Sequence, residues 1–252
     1  MAAQPESVLS VDAITKKFGS IVALDDLSWS VEPAQTKAVI GPNGAGKTTF
    51  FDIITGILQP TSGSVSFRGE DITGLEPYKI VQQGIVKTFQ VTNLFEEITV
   101  YENIRAASQA RVSTFSIVKQ VEEMPEITET AKAVLERIGM QDQRDTTVTS
   151  LSHGDKRKVE IGLALATKPA IIIFDEPTAG MSAEETEAIL DLLEVLKQDE
   201  SLTLVITEHN VDFILKLADE VSVLHQGTVI AEGPPDAITA DERVQEVYLG
   251  EA

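Results

Sequence analysis

Hydrophobic and polar positions along the chain change rhythm twice. Short apolar stretches at Val8 to Ile14, Leu27 to Val31 and Ser64 to Arg68 are separated by turn residues such as Phe18-Gly19 and Thr61-Ser62-Gly63, and predict strands. Between them Ala38, Val39 and Ile40 form a further strand candidate, and Thr49 to Ile54 suits a helix. Around Gln90 the texture shifts. From about Asn103 to Thr167 apolar residues recur at helical spacing, as at Ala131, Val134, Leu135 and Ile138, with Pro125 and Gly139 as punctuation. From Ala170 strands and helices alternate. Ala170 to Phe174 is continuously apolar, as a strand buried on both faces requires. Ala183 to Lys197 is amphipathic, with Ile189, Leu192, Leu193 and Leu196 on its inner side. Leu202 to Thr207 and Val221 to Leu224 predict two more strands, and Pro235 to Leu249 a mostly helical tail. The layout predicts an α/β core interrupted by a helical insertion.

Chemistry enters where the strand Ala38 to Ile40 gives way to the helix. The intervening residues Gly41, Pro42, Asn43, Gly44, Ala45, Gly46, Lys47 and Thr48 spell G-x-x-x-x-G-K-T, and Thr49 follows. Glycines let successive backbone N–H groups face inward, which makes an anion-binding nest at a helix N-terminus. Lys47 then reaches the β- and γ-phosphates of a nucleoside triphosphate, and the Thr48 hydroxyl offers an oxygen to Mg²⁺. The alternative, a glycine-rich turn that binds nothing, does not account for the strand before and the helix after. A second element is Ile171-Ile172-Ile173-Phe174-Asp175-Glu176-Pro177. Its apolar residues bury a strand, and two carboxylates emerge at the carboxyl end, where α/β sheets bind ligands. Asp175 is expected to hold Mg²⁺ through water, and Glu176 to polarise the attacking water as general base.

Composition narrows the picture. The 252 residues, 42% of them hydrophobic, suffice for one large α/β unit or a core with a small subdomain. No apolar run approaches the ~20 residues that span a bilayer, and MAAQPESVLS lacks the basic-then-apolar pattern of a signal peptide, so a cytosolic chain is expected. The absence of cysteine excludes disulfides, thiolate zinc sites and cysteine nucleophiles. The net charge is −20, from 40 acidic and 20 basic residues spread along the chain. That spread favours adaptation to a salt-rich cytoplasm, as in a halophile, over an ordinary acidic surface, because salt screens the self-repulsion. No basic stripe is visible, which argues against a nucleic-acid partner.

With these motifs in order the chain resembles the ATP-binding-cassette ATPases over nearly its whole length. Leu151-Ser152-His153-Gly154-Asp155 looks like the family's LSGGQ signature, Thr88-Phe89-Gln90 like its glutamine loop, and Thr207-Glu208-His209 like its switch histidine. The resemblance implies an α/β P-loop NTPase core of the ABC-ATPase type, with an antiparallel β subdomain and an inserted α-helical subdomain. It implies one domain over residues 1–252, with 1–87 and 168–252 as catalytic core and β subdomain and 88–167 as helical subdomain. Two such domains sandwich two ATP molecules head to tail. Phe18 matches the adenine-stacking aromatic, a packed core ring being the alternative. The resemblance implies that Gln90 offers Mg²⁺ a carbonyl oxygen, that His209 contacts the γ-phosphate and the attacking water, and that Ser152 and Gly154 meet the γ-phosphate bound by the facing subunit. Four positions depart from the family pattern: Phe18 where Tyr is usual, His153, Asp155, and Ser182 where Asp is usual. Asp155 either weakens closure over ATP or merely caps its helix, with Lys156, Arg157 and Lys158 able to neutralise it.

Further stretches are similar to the branched-chain amino-acid importer ATPases: Gly84 to Gln90, Asn93-Leu94-Phe95, Thr99 to Ile104, Ala179 to Thr186, and Val247-Tyr248-Leu249-Gly250. His153 and Val223 to Gly227 also occur in the related urea importer ATPases, and lipid- or polysaccharide-export ATPases remain an alternative. A cassette protein of DNA repair or translation fits less well, since neither a long coiled coil nor a second cassette is present. The importer resemblance implies a second ATPase subunit, identical or not, two integral-membrane permeases, and indirectly an external solute-binding protein. It places the chain on the inner face of the cell membrane. Leu94, Phe95 and Val100 are the expected apolar contacts to a permease helix in a groove near residues 91 to 105, ordinary core being the alternative.

Overall fold

The computed structural model describes residues 7–88, 94–109 and 125–249. Strands β1 (Leu9–Phe18) and β2 (Ile21–Val31) form an antiparallel hairpin through Gly19 and Ser20, and β3 (Thr36–Ile40) leads into α1 (Lys47–Ile54). Strands β4 (Ser62–Phe67) and β5 (Glu70–Asp71), helix α2 (Pro77–Gln83) and strand β6 (Ile85–Lys87) follow. Helices α3 (Val100–Ser108), α4 (Pro125–Arg137) and α5 (His153–Ala166) come next. The last part alternates: β7 (Ile171–Asp175), α6 (Ala183–Lys197), β8 (Thr203–Thr207), α7 (Val211–Leu217), β9 (Glu220–His225), β10 (Thr228–Gly233), α8 (Pro235–Ala240) and α9 (Glu242–Leu249).

Two sheets result. One is antiparallel, in the order β2-β1-β4-β5; the other runs β10-β9-β3-β8-β7-β6, parallel except for β10. Side chains alternate across the central sheet as strand geometry demands. Ile171, Ile173 and Val205 join Trp29, Phe50, Phe51 and Val65 in a core shared with the antiparallel sheet and α1. Ile172, Phe174, Leu204 and Ile206 face the other way, into a core with Ile104, Val134, Val159 and Leu193. The segment 88–167 therefore shares its apolar core with β7, β8 and α6 among the described residues. Helix α5 packs closely on its neighbours because Gly162 has no side chain: a Cβ there would lie 2.8 Å from Ile138 Cδ1 and 3.1 Å from Ile104 Cδ1.

Differences from the sequence expectation have local causes. Strand β1 continues past Ile14, and β2 begins before Leu27, because register shifts between Val11 and Ile14 and at Lys16 let the pairing survive a broken alternation. Strands β5 and β6 and helices α2 and α7 carry too few residues to show a period, and β10, with Ala231 its one buried residue, shows no alternation. Strand β3 buries Lys37, its second residue. Its ammonium is satisfied by Glu220 at 3.1 Å, Glu232 at 3.2 Å and the Ser30 carbonyl at 2.7 Å, and lies over the Trp29 ring. Among the described residues no helix is long and apolar enough to cross a membrane.

Candidate active site

The carboxyl ends of β3, β7 and β8 converge on one edge of the central sheet. From β3, residues Gly41 to Gly46 wrap into a loop, and α1 begins at Lys47 with no side chain capping it. The first turn of a helix directs N–H groups and a positive dipole end outward, which suits phosphate. Gly46 has φ 105°, and a Cβ there would meet Ala23 O and Leu24 Cδ2 at 2.8 Å, so the loop closes against β2 only with glycine. The Lys47 ammonium folds over the loop, donating to the Gly41 carbonyl and to that of Pro42. Thr48 is exposed and Thr49 half-buried, with Pro42 and Ala45 buried and Asn43 and Gly44 exposed.

At the end of β7, Asp175 is held on both oxygens. Oδ1 accepts from the Thr207 hydroxyl at 2.8 Å and Oδ2 pairs with Lys87 Nζ at 3.1 Å, which also pairs with Asp52 of α1 at 3.1 Å. Glu176 has a left-handed backbone, φ 48°, and its N–H donates to Thr207 O at 3.0 Å. Its Oε1 lies 3.0 Å from His209 Nε2. Glu176 and His209, expected from separate motifs, are thus brought into direct contact. Beside them the buried Glu208 accepts from Thr178 N–H at 2.8 Å and its hydroxyl at 2.5 Å, and from His209 N–H at 2.9 Å.

Other expected residues fall elsewhere. Phe18 is 46% exposed, so it is not a packed core ring, and Lys16 Nζ stands 5.0 Å from its centroid. It sits on the β1–β2 hairpin, whose Ala23 and Leu24 line the phosphate loop. Ser152 and Gly154 stand at the N-terminus of α5 and make their contacts there rather than with the phosphate loop. Ser152 Oγ lies 2.9 Å from Asp155 Oδ2, and Gly154 N–H donates to Glu185 Oε1 at 3.0 Å. N–H donors of Ser182 and Gly154, with the Ser182 hydroxyl, hold the Glu185 carboxyl below the usual range. Of the three neighbouring cations only Lys158 pairs with Asp155, at 3.4 Å; Lys156 turns to Glu96 at 3.3 Å and Arg157 inward. Ser182 caps α6 through a reciprocal pair with Glu185. His153 lines a recess of about 50 Å³ with Glu176, Pro177 and Met181. Leu94 and Val100, expected in an exposed groove, are 8% and 0% exposed: their apolar side chains are core, and Phe95 alone, at 65%, is open. Gln90 lies outside the described residues.

The ABC transporter family profile matches residues 24–179, which includes the phosphate loop, the signature and both carboxylates. The chain belongs to the ABC transporter ATP-binding family. It is therefore an α/β cassette of the P-loop NTPase type that binds and hydrolyses ATP. A second profile, branched-chain amino acid ATP-binding cassette transporter, matches residues 228–252 of the cassette. The chain is 34% identical to the high-affinity branched-chain amino acid transport ATP-binding protein BraF of Pseudomonas aeruginosa, covering 97% of this chain and 98% of that one. It is 35% identical to the probable branched-chain amino acid transport ATP-binding protein LivG of Methanocaldococcus jannaschii, over 97% and 98% of the two chains. The solved ADP conformation of MJ1267, an ATP-binding cassette of an ABC transporter, superposes with a TM-score of 0.87 at 34% identity, covering 97% of this cassette and 99% of that chain.

Lys87, Glu185 and Glu208 carry contacts at the site that sequence motifs do not announce, and Arg157, expected beside Asp155, instead turns to the carbonyls of 175–177. Thr207 and Glu208 were quoted only as neighbours of His209, and that adjacency was the one signal available. Lys87 and Arg157 act through contacts between elements distant in the chain, whereas Ser182 to Glu185 fits the local S-x-x-E capping pattern and only the Glu185 bond to Gly154 is long-range.

Proposed function

We propose that this cassette is the ATP-hydrolysing subunit of an importer for branched-chain amino acids or a related small solute, bound to separate permeases at the cytoplasmic face of the membrane. The single observation that carries the catalytic part is the Glu176–His209 contact, 3.0 Å, at the carboxyl edge of the parallel sheet. Whole-length similarity to branched-chain amino acid transport proteins supports the cargo class.

In this reading backbone N–H groups of the loop and first turn from Gly44 to Thr49, with the Lys47 ammonium, grip the phosphates, and the exposed Phe18 ring stacks on adenine. Glu176 takes a proton from a water whose oxygen attacks the γ-phosphorus, while the bond to the bridging oxygen breaks and ADP leaves. His209 orients Glu176 and donates to the γ-phosphate. Thr48 and Asp175 suit Mg²⁺: a hydroxyl and a carboxylate are hard oxygen donors, and they stand at the first turn of α1 and the carboxyl end of β7. That ion would neutralise the phosphate charge; Gln90 would add its carbonyl oxygen. Ser152 and Gly154 reach nucleotide bound by a second cassette, identical or not, so hydrolysis requires a pair. Residues 88–167 form the arm that carries the signature, and Phe95 is the apolar contact left for a permease helix.

Replacing Glu176 by Gln tests this. Retained ATP affinity, ATP-driven dimerisation seen by light scattering, and turnover lowered by at least about 10²-fold are expected. Undiminished turnover would remove Glu176 from the mechanism. Leucine-stimulated ATPase in the assembly reconstituted with its permeases and binding protein tests the cargo class; stimulation by none of the branched-chain amino acids would reject it.

A further inference from the structure

Arg157 lies near the start of α5 and is only 7% exposed. Its guanidinium crosses to the chain leaving β7. Nε donates to the Pro177 carbonyl at 3.1 Å, and Nη2 to the carbonyls of Asp175 and Glu176, each at 3.2 Å. Nη1 is oriented by Glu160 of the same helix at 2.8 Å. One planar cation thus grips three consecutive carbonyls around the catalytic carboxylate. Glu176 sits at φ 48°, a backbone state that a non-glycine residue keeps only where its surroundings hold it. From the far side Glu208 holds the Thr178 N–H and hydroxyl and the His209 N–H. The segment 175–178 is therefore clamped between α5 and the loop after β8.

We infer that Arg157 is a positioning residue for hydrolysis, bolting the helix that carries Ser152 and Gly154 to the backbone of Glu176 in the same protomer. When those two residues engage nucleotide bound across the dimer, any shift of α5 moves the Glu176 backbone with it. One ATP site thereby sets the alignment of the other. The guanidinium suits this task because its donors are fixed in a rigid fork, whereas a lysine offers a point charge on a flexible stem. The inference rests on the reading that Glu176 and His209 perform hydrolysis.

The test uses Arg157→Lys and Arg157→Met in the full chain, with Glu160→Gln to loosen the fork without removing it. Expected is a fall in kcat of about 10²-fold for both Arg157 variants, as a misplacement near 1 Å produces, with KM within about threefold of the parent. Glu160→Gln falls between. Arg157→Lys placed in the Glu176→Gln background still dimerises with ATP, and the His209 imidazole nitrogen resonances shift in Arg157→Lys. A folded Arg157→Lys with parental kcat and unmoved His209 resonances overturns the inference. So does a loss of activity that merely follows the unfolded fraction. If Arg157→Met does not fold, Arg157→Lys decides. Undiminished turnover in Glu176→Gln alone would instead defeat the underlying reading.

Discussion

Lys87 is the sharpest place to perturb the site, because one ammonium serves two carboxylates. It stands 3.1 Å from Asp52 of α1 and 3.1 Å from Asp175 of β7. Its side chain is 9% exposed, and those of the two aspartates 20% and 14%. Lys87→Met keeps most of the apolar stem and deletes the charge. Removing one partner of a buried pair costs about 3–5 kcal/mol, since the other charge stays buried and unpaired. Both carboxylates keep some solvent contact, and Asp175 keeps its bond from Thr207, so about 2–3 kcal/mol is expected here. For a chain of this size that corresponds to a fall in Tm of about 4–12 °C. If Asp175 also faces Mg²⁺ on nucleotide, the ion supplies the missing positive charge. Melting curves of parent and variant, taken alone, with ATP and EDTA, and with ATP and Mg²⁺, check this. The deficit should shrink in the last condition only. A fall below about 1 °C without ligand, or an equal deficit in all three conditions, would refute the reasoning.

Two further outcomes follow from charge. With a net charge of −20, Tm should rise between dilute buffer and molar KCl, where the Debye length shrinks to ~3 Å; equal melting in both would end the halophilic reading. Glu102 and Glu185 are each held below the ordinary glutamate range, first by a backbone N–H (of Thr99 and Ser182 respectively) and then by further hydrogen bonds. A depressed folded value means stability that is complete above the ordinary value of about 4.3 and is lost as pH falls through the folded one. Combined Glu102→Gln and Glu185→Gln should therefore flatten the acid limb of the Tm–pH curve below about pH 4.3, and an equally steep limb would show that these caps do not contribute.

How much was legible depends on how local each feature is. The phosphate loop could be read directly, since glycine spacing, the lysine and the flanking strand and helix all fall within one short stretch, Ala38 to Ile54. Helix α6 matches its sequence boundaries at both ends because Ser182 and Glu185 form a capping box and the apolar stripe is regular. Leu94 and Val100 show the limit. An apolar residue near a motif looks the same in sequence whether it faces a partner or the core, and here packing against the shared core decides for the core.

By itself the sequence determined the family and the fold class, and it singled out the loop from Gly41 to Thr48, Asp175, Glu176 and His209 as the candidates for the chemistry. Only the tertiary structure decided which charges and loops those residues lean on. The order β3-β8-β7-β6 departs from chain order, and that crossing brings Lys87 to Asp175 and Thr207 beside Asp175, while the packing of α5 brings Arg157 to the carbonyls around Glu176. The physical reason is that motif residues are spaced by backbone geometry over a few positions, whereas these partners meet through strand register and helix packing between segments far apart in the chain.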